Sequence, residues 1–300
     1  MAGSAGPRVC VAHLVRKAND IGAFRDFLAS YRTRAAGAPH ELLLIYKGFD
    51  GIPAVSAHED LLEGVAHERL FVDDTGFDIG AYLATARRHE CSHFLFLNSF
   101  SKFECDGWLE GFVRHGTVAG AGVVAATGSW QSVKSDYHEL DGFHPRHRMV
   151  FYKRWIIAAD LGMLYLLSID RGFPEFPNIH VRSNAFFIAR DLLLRLKVGR
   201  IRTKWDAYRF ESGRQSFTQQ VRAAGLKALV VGADGRAYEP DDWPASRTFW
   251  IGEQENLLVS DNQTRAYLKA DERRRTSLSH HAWRRFPDGR PGSSFPDPWR

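Results

Sequence analysis

The strongest constraint on this chain is a change of period that repeats through its first 130 residues. RVCVAHLV (8–15), ELLLIYKGF (41–49), ERLFVDD (68–74) and HFLFLNS (93–99) are strand-length apolar runs. Between and after them, GAFRDFLASYRTR (22–34), IGAYLATARRH (79–89) and GWLEGFVRHG (107–116) carry apolar residues at helical spacing. A strand that is apolar at every position, not at alternate ones, must be covered on both faces. The alternation therefore predicts an α/β fold: a mostly parallel sheet with helices on both faces.

The pattern continues less regularly. VAGAGVVAATGS (118–129) reads as a fifth strand with glycines, and the polar, His- and Arg-rich stretch 130–149 as a long loop. An apolar helix is expected over 152–171, a strand over 180–189, helices over 190–197 and 216–225, a strand and turn over 226–238, and a last helix over 264–275. The chain divides accordingly into a domain over 8–238, with halves 8–129 and 130–238, an extension over 239–283 and a flexible, Pro- and Gly-dense tail over 284–300.

Charge and cysteine content narrow the partners. A formal net charge of +5 suits an anionic ligand such as a nucleotide diphosphate, and is too scattered to point to nucleic acid. Cys10, Cys91 and Cys105 form no CxxC pair, so reduced thiols and a cytoplasmic protein are expected. The first residues lack an apolar signal segment, and no apolar run reaches membrane-spanning length. The basic flanks of 152–171 would suit peripheral contact with the inner membrane face, although core packing explains that helix equally simply.

Ligands of open parallel sheets bind beyond the carboxyl ends of the strands. Those exits carry Arg16, Lys17 and Lys47, then Asp73, Asp74 and Asp78, then Asn98, Ser99 and Ser101. Cations for a diphosphate and carboxylates for a ribose or base would be so placed; strand exits are also polar simply because they are wet. Asp78 reads equally as the N-cap of the helix that follows, and Asn98 to Ser101 as a helix-capping turn. His138, His144 and His147 match no standard metal spacing. Trp130, after a glycine-rich strand exit, is a candidate for stacking on an acceptor sugar.

GFDIG (76–80) followed by HFLFLNSFS (93–101), then HVRSNAFFIARDLLLRL (180–196) and YRFESGRQSFTQQVRAAGLKALVVG (208–232), resembles the GT-A fold glycosyltransferases. The nearest pattern is the rhamnan-synthesis type among the bacterial family-two-like enzymes, and it covers about residues 8–235. The resemblance places Asn98-Ser99-Phe100 where such enzymes carry a metal-binding Asp-x-Asp, and Glu211 at the first carboxylate of a Glu-Asp segment whose Asp is replaced by Ser212. Hard cations prefer carboxylate oxygens, so no residue is assigned to a metal here. Either cations such as Arg16, Lys17, Lys47 or Arg182 replace Mg²⁺ or Mn²⁺ at the diphosphate, which is the favoured reading, or Asp73 and Asp74 hold the metal.

What the resemblance implies is transfer of a sugar from a nucleotide-sugar donor to a glycan or lipid-linked acceptor in cell-surface polysaccharide synthesis. Glu211 is the first candidate for general base, then Asp206 and Asp261, with ion pairing to Arg209 or Arg214 as the alternative role for Glu211. Trp130 and His144 are expected on the acceptor side. The competing readings are a non-catalytic nucleotide-sugar or glycan-binding member of the same fold, and a nucleotidyltransferase, which the missing carboxylates disfavour.

Overall fold

The computed structural model describes residues 6–136 and 169–291. The elements up to Asp136 are β1 (Val9–Arg16), α1 (Ile21–Thr33), β2 (Glu41–Lys47), the short α2 (Ser56–Glu59), β3 (Glu68–Val72), α3 (Phe77–Arg88), β4 (His93–Leu97), β5 (Lys102–Phe103), α4 (Glu110–Gly116), β6 (Ala121–Ala125) and β7 (Gly128–Ser129). From Ile169 onward come β8 (His180–Val181), β9 (Ala185–Ala189), α5 (Arg190–Arg195), α6 (Lys204–Ser212), α7 (Phe217–Ala223), β10 (Lys227–Val231), β11 (Ala237–Tyr238), β12 (Val259–Ser260), α8 (Asn262–Lys269) and α9 (Glu272–Trp283). The candidates His138, His144 and His147, and most of the helix expected over 152–171, lie outside the described residues.

Eight strands form the central sheet in the order β11-β10-β6-β9-β4-β1-β2-β3. Pairing is parallel from β4 through β1 and β2 to β3, and between β6 and β10. Two strands run the other way: β9, wedged between β4 and β6, and β11 at the edge. The sheet is therefore mostly parallel and covered on both faces. Successive side chains of a strand point to opposite faces. Cys10, Ala12 and Leu14 of β1 and Phe94 and Phe96 of β4 join one core layer, with Ile79, Tyr82 and Leu83 of α3 and Phe217 and Val221 of α7. Val9, Val11 and Val15, with Leu95 and Leu97, join the opposite layer under Phe24 and Phe27 of α1 and Phe112 of α4. FLFL must be apolar at every position because each of its faces meets a helix layer.

His13 breaks that apolar rule without any compensating bond. It is fully buried in the middle of β1, its ring stacks on Phe27 at 3.6 Å between centroids, and neither ring nitrogen has a hydrogen-bond partner among the described residues. Burial holds its pKa down to about 3, from 6.5. The unfolded chain thus binds a proton that the folded chain refuses. Stability is full above the unfolded value of 6.5 and declines as pH falls toward 3. Between pH 7.5 and pH 5 this one residue accounts for a loss of about 2 kcal/mol. Urea denaturation at both pH values is expected to show that loss in the wild type and to show it smaller by about that amount in His13→Phe.

The segment after residue 238 belongs to the same core. Trp243, Phe249 and Trp283 pack into the layer that holds Phe96, and β12 pairs antiparallel with β5. The helix expected over 264–275 is two helices. Ala270 is extended, and the Asp271 side chain accepts from the Arg274 N–H at 2.7 Å, which starts α9. α6 lies where the sequence predicts no helix, because with Phe210 and Ser212 as its only buried residues it carries no apolar stripe. It is stabilised at its start by a Thr203–Asp206 capping box. The strand expected over 180–189 is two short strands separated by Arg182, Ser183 and Asn184.

Candidate functional site

The site follows from strand order. β1, β2 and β3 march toward one edge, and the chain then returns to place β4 on the other side of β1. Open α/β sheets bind ligands beside such a reversal, beyond the carboxyl ends of the strands, and the cavities described below open at the exit of β4. β9 runs antiparallel to β4, with Leu97 opposite Ala185, so its entrance lies at the same edge as the exit of β4. The Asn98 N–H donates to the Asn184 carbonyl at 2.8 Å. Arg182, Ser183 and Asn184 are thereby brought beside Asn98 across 84 residues of sequence.

Asn98 ends β4 with a tight turn. Its side-chain oxygen accepts from the Phe100 N–H and from the Ser101 hydroxyl, both at 3.0 Å. Ser99 and Ser101 are buried. The cluster therefore acts at least as a strand-terminating cap, and of its members Asn98 reaches the cavity described next.

Two cavities meet at this edge. The smaller, about 230 Å³, is lined by Asp78, Asn98, Ser183, Asn184 and Lys204 among others. The larger, about 630 Å³, is lined by Ser129, His180, Phe249, Trp250 and Arg274 among others. Arg182, Tyr208, Glu211 and Gln263 line both, so they stand at the junction. Glu211 comes from the last turn of α6. Its Oε2 accepts the Ser183 N–H at 2.9 Å and also the Ser183 hydroxyl. Both bonds fall on one oxygen, which leaves Oε1 for a proton or ligand. Asp78, on the first turn of α3, faces the smaller cavity. Burial raises its pKa against the pull of Lys47 and Arg16, and the Glu211 and Asp74 charges add to the rise. Asn184 is buried, its Oδ1 accepts from Thr127, and among the described residues its Nδ2 has no hydrogen-bond partner although the residue lines the smaller cavity. A buried unpaired donor costs free energy unless something fills the role of acceptor.

The cations divide into committed and available ones. Arg182 is buried, donates to Asp261 at 2.7 Å and to Thr127 at 3.3 Å, and stacks over Phe249 at 4.3 Å. Burial pushes the Asp261 carboxyl up, but the Arg182 charge and the Thr264 bonds outweigh it, so its pKa lies below the ordinary value. Asp261 also caps α8. Lys47 is buried and donates to the Thr75 and Phe77 carbonyls at 3.0 and 2.7 Å, fixing the turn that enters α3. Burial lowers its pKa. Arg16 grips Asp74 through two bonds of 3.0 and 3.1 Å. Lys17 pairs with Asp50, and Asp73 is exposed. Lys204 and Arg274 carry the remaining positive charge on the cavity walls.

The other sequence candidates fall elsewhere. Asp206 is spent on the Thr203 cap and faces a separate cavity of about 390 Å³ with Arg171, Lys197, Arg200 and Arg214. The Trp130 indole donates to the Pro240 carbonyl at 3.0 Å and meets Trp283 edge-on, while its neighbours Ser129 and Gln131 line the larger cavity. Ser183, Asn184, Lys204, Tyr208 and Gln263 were not singled out from the sequence. The one available signal was HVRSN, a strand broken by polar residues.

The donor set at the β4 exit does not fit a hard divalent cation. Its amide oxygen is already bonded twice, and it offers no carboxylate. Among the described residues, the groups of three or more close metal-ligating side chains lie at the opposite edge of the sheet.

No family model and no curated protein matches the sequence. Among solved structures, the chain is similar to a mannosyltransferase from Pyrobaculum calidifontis in complex with GDP-Man and Mn²⁺, at 16% identity over 81% of this chain, with a TM-score of 0.43. It spans 61% of the length of that protein. It is also similar to mouse xyloside xylosyltransferase 1, at 14% identity over 75% of this chain and 85% of that one, with a TM-score of 0.41. Residues 1–349 of S. aureus TarS align over 39% of this chain and 34% of that one, at 11% identity and a TM-score of 0.30.

Proposed function

We propose that this chain is a glycosyltransferase that moves a sugar from a nucleotide-sugar donor to a glycan or lipid-linked acceptor, in cell-surface polysaccharide synthesis and without a divalent cation. The observation that carries the proposal is Glu211 at the junction of two cavities beyond the exit of β4, with one carboxylate oxygen anchored and, among the described residues, the other available. In this reading the donor occupies the smaller cavity, with Asp78, Asn98 and the unpaired Asn184 amide about its polar groups. The acceptor occupies the larger, where Phe249 and Trp250 offer aromatic faces. Glu211 takes the proton of the acceptor hydroxyl, that oxygen bonds the anomeric carbon, and the bond from this carbon to the diphosphate oxygen breaks. Lys204, on the wall of the smaller cavity, stabilises the departing charge.

The test is thermal denaturation against nucleoside diphosphates and nucleotide-sugars, each with Mn²⁺ and with EDTA. A donor at a hundred times its dissociation constant stabilises the native state by about 2.7 kcal/mol. The expected result is a shift from one nucleotide class that survives EDTA, together with release of free nucleotide from that donor. A shift that needs Mn²⁺ overturns metal independence. No shift from any nucleotide overturns the donor assignment, and tight binding with no release across acceptors leaves a binding protein in place of an enzyme.

A further inference from the structure

The edge of the sheet opposite the cleft holds a second constellation of chemically able side chains, and no step proposed above uses it. Cys10 lies at the start of β1, Glu41 at the start of β2 and Glu68 at the start of β3. His89 and Cys91 lie in the turn between α3 and β4. Strand order places these starts side by side. The ligating atoms of Cys10, His89 and Cys91 all fall within 4.8 Å of one another, as do those of Glu41, Glu68 and His89. Cys10 and Cys91 are buried.

We propose that Cys10, His89 and Cys91, with Glu41 as fourth ligand, form a structural zinc site that ties together the amino ends of the parallel strands. Two thiols, an imidazole and a carboxylate are a donor set suited to tetrahedral Zn²⁺. Zn–S and Zn–N bonds of about 2.3 and 2.0–2.1 Å place neighbouring ligands about 3.5–3.8 Å apart. Glu41 Oε2 already sits 3.7 Å from Cys91 Sγ and 3.8 Å from His89 Nε2. Among the described residues that buried Nε2 has no hydrogen-bond partner, so its lone pair can be given to a metal ion. The other ring nitrogen, Nδ1, lies 3.5 Å from Glu68 Oε2. A carboxylate behind a ligating histidine fixes the ring and raises its basicity. Arg8 donates to both Glu41 oxygens, to Oε1 at 2.6 Å and to Oε2 at 2.8 Å, so the carboxylate of the fourth ligand is oriented as well. Binding displaces the two thiol protons to solvent, and no redox change is involved.

The full chain, purified under reducing conditions, is stripped with chelator and titrated with Co²⁺ and then Zn²⁺. The expected result is a thiolate-to-cobalt charge-transfer band that saturates at about one metal per chain and is abolished by Zn²⁺. Cys91→Ser is expected to lose the band, Cys105→Ser to keep it, and Glu68→Gln to weaken zinc by about 10–100-fold as a positioning residue. The wild-type spectrum stands even if a variant fails to fold. A reduced wild-type chain that takes up cobalt with no thiolate band overturns the proposal. So does zinc binding that is equal in Cys91→Ser and wild type.

Discussion

Glu211→Gln is expected to lower turnover about 10²–10⁴-fold while leaving the donor dissociation constant within a few-fold of wild type. The substitution is nearly isosteric. Its amide oxygen still accepts from the Ser183 N–H and hydroxyl, so the junction between the cavities keeps its shape. Only the capacity to take a proton is lost. A change confined to kcat is the signature of an interaction made in the transition state and not in the ground state. Asp206→Asn provides the contrast, because that carboxylate is spent on the Thr203 cap and faces a different cavity. It should leave kcat unchanged. Unaltered turnover in Glu211→Gln would remove Glu211 from the reaction and turn attention to Asp78, which lines the smaller cavity and, unlike Asp261, is not paired with Arg182.

The second large effect is expected on stability. Asp261→Asn should destabilise the fold by about 3–5 kcal/mol, since it leaves the Arg182 guanidinium buried without its counter-charge. Asparagine is as good a helix cap as aspartate, so α8 keeps its start and the loss reports the ion pair. The side chains of Arg182 and Asp261 are 8% and 1% exposed, so solvent screens the pair little. The sign with pH follows from the depressed pKa of Asp261. Its contribution is complete above the unfolded carboxylate value of about 4 and is lost as pH falls through the lower folded value. Urea denaturation should therefore show the gap between wild type and Asp261→Asn intact at neutral pH and closing only in strong acid. A gap below about 1 kcal/mol at neutral pH would mean that Arg182 finds another partner or water, as exposed pairs do.

NSF, after β4, is readable locally as a turn, since an asparagine that bonds its own backbone needs only the next three residues, but the turn joins β4 to β5 and does not cap a helix. Arg16, Lys47, Asp74 and Asp78 were placed at strand exits by the same short-range logic. The structure adds that Arg16 and Lys47 already have partners, which charge pattern alone cannot convey. Asn184, Tyr208 and Gln263 were invisible because no local pattern distinguishes a polar residue facing a cavity from one facing solvent. The cysteines show the same limit. Cys10 and Cys91 lack CxxC spacing, and proximity arises only when β1 and β4 become neighbours.

The sequence by itself determined the α/β alternation and the need to cover FLFL on both faces, because residue spacing within one segment dictates which of its faces can be buried. It also determined the turn chemistry at Asn98, which depends on bonds between residues two and three apart. Only the tertiary structure decided that β9 enters antiparallel between β4 and β6, and with it that Ser183 meets Glu211 and Arg182 meets Asp261. Those pairs are set by strand order, and strand order is chosen by the free energy of the whole packed sheet, to which no single segment holds the key.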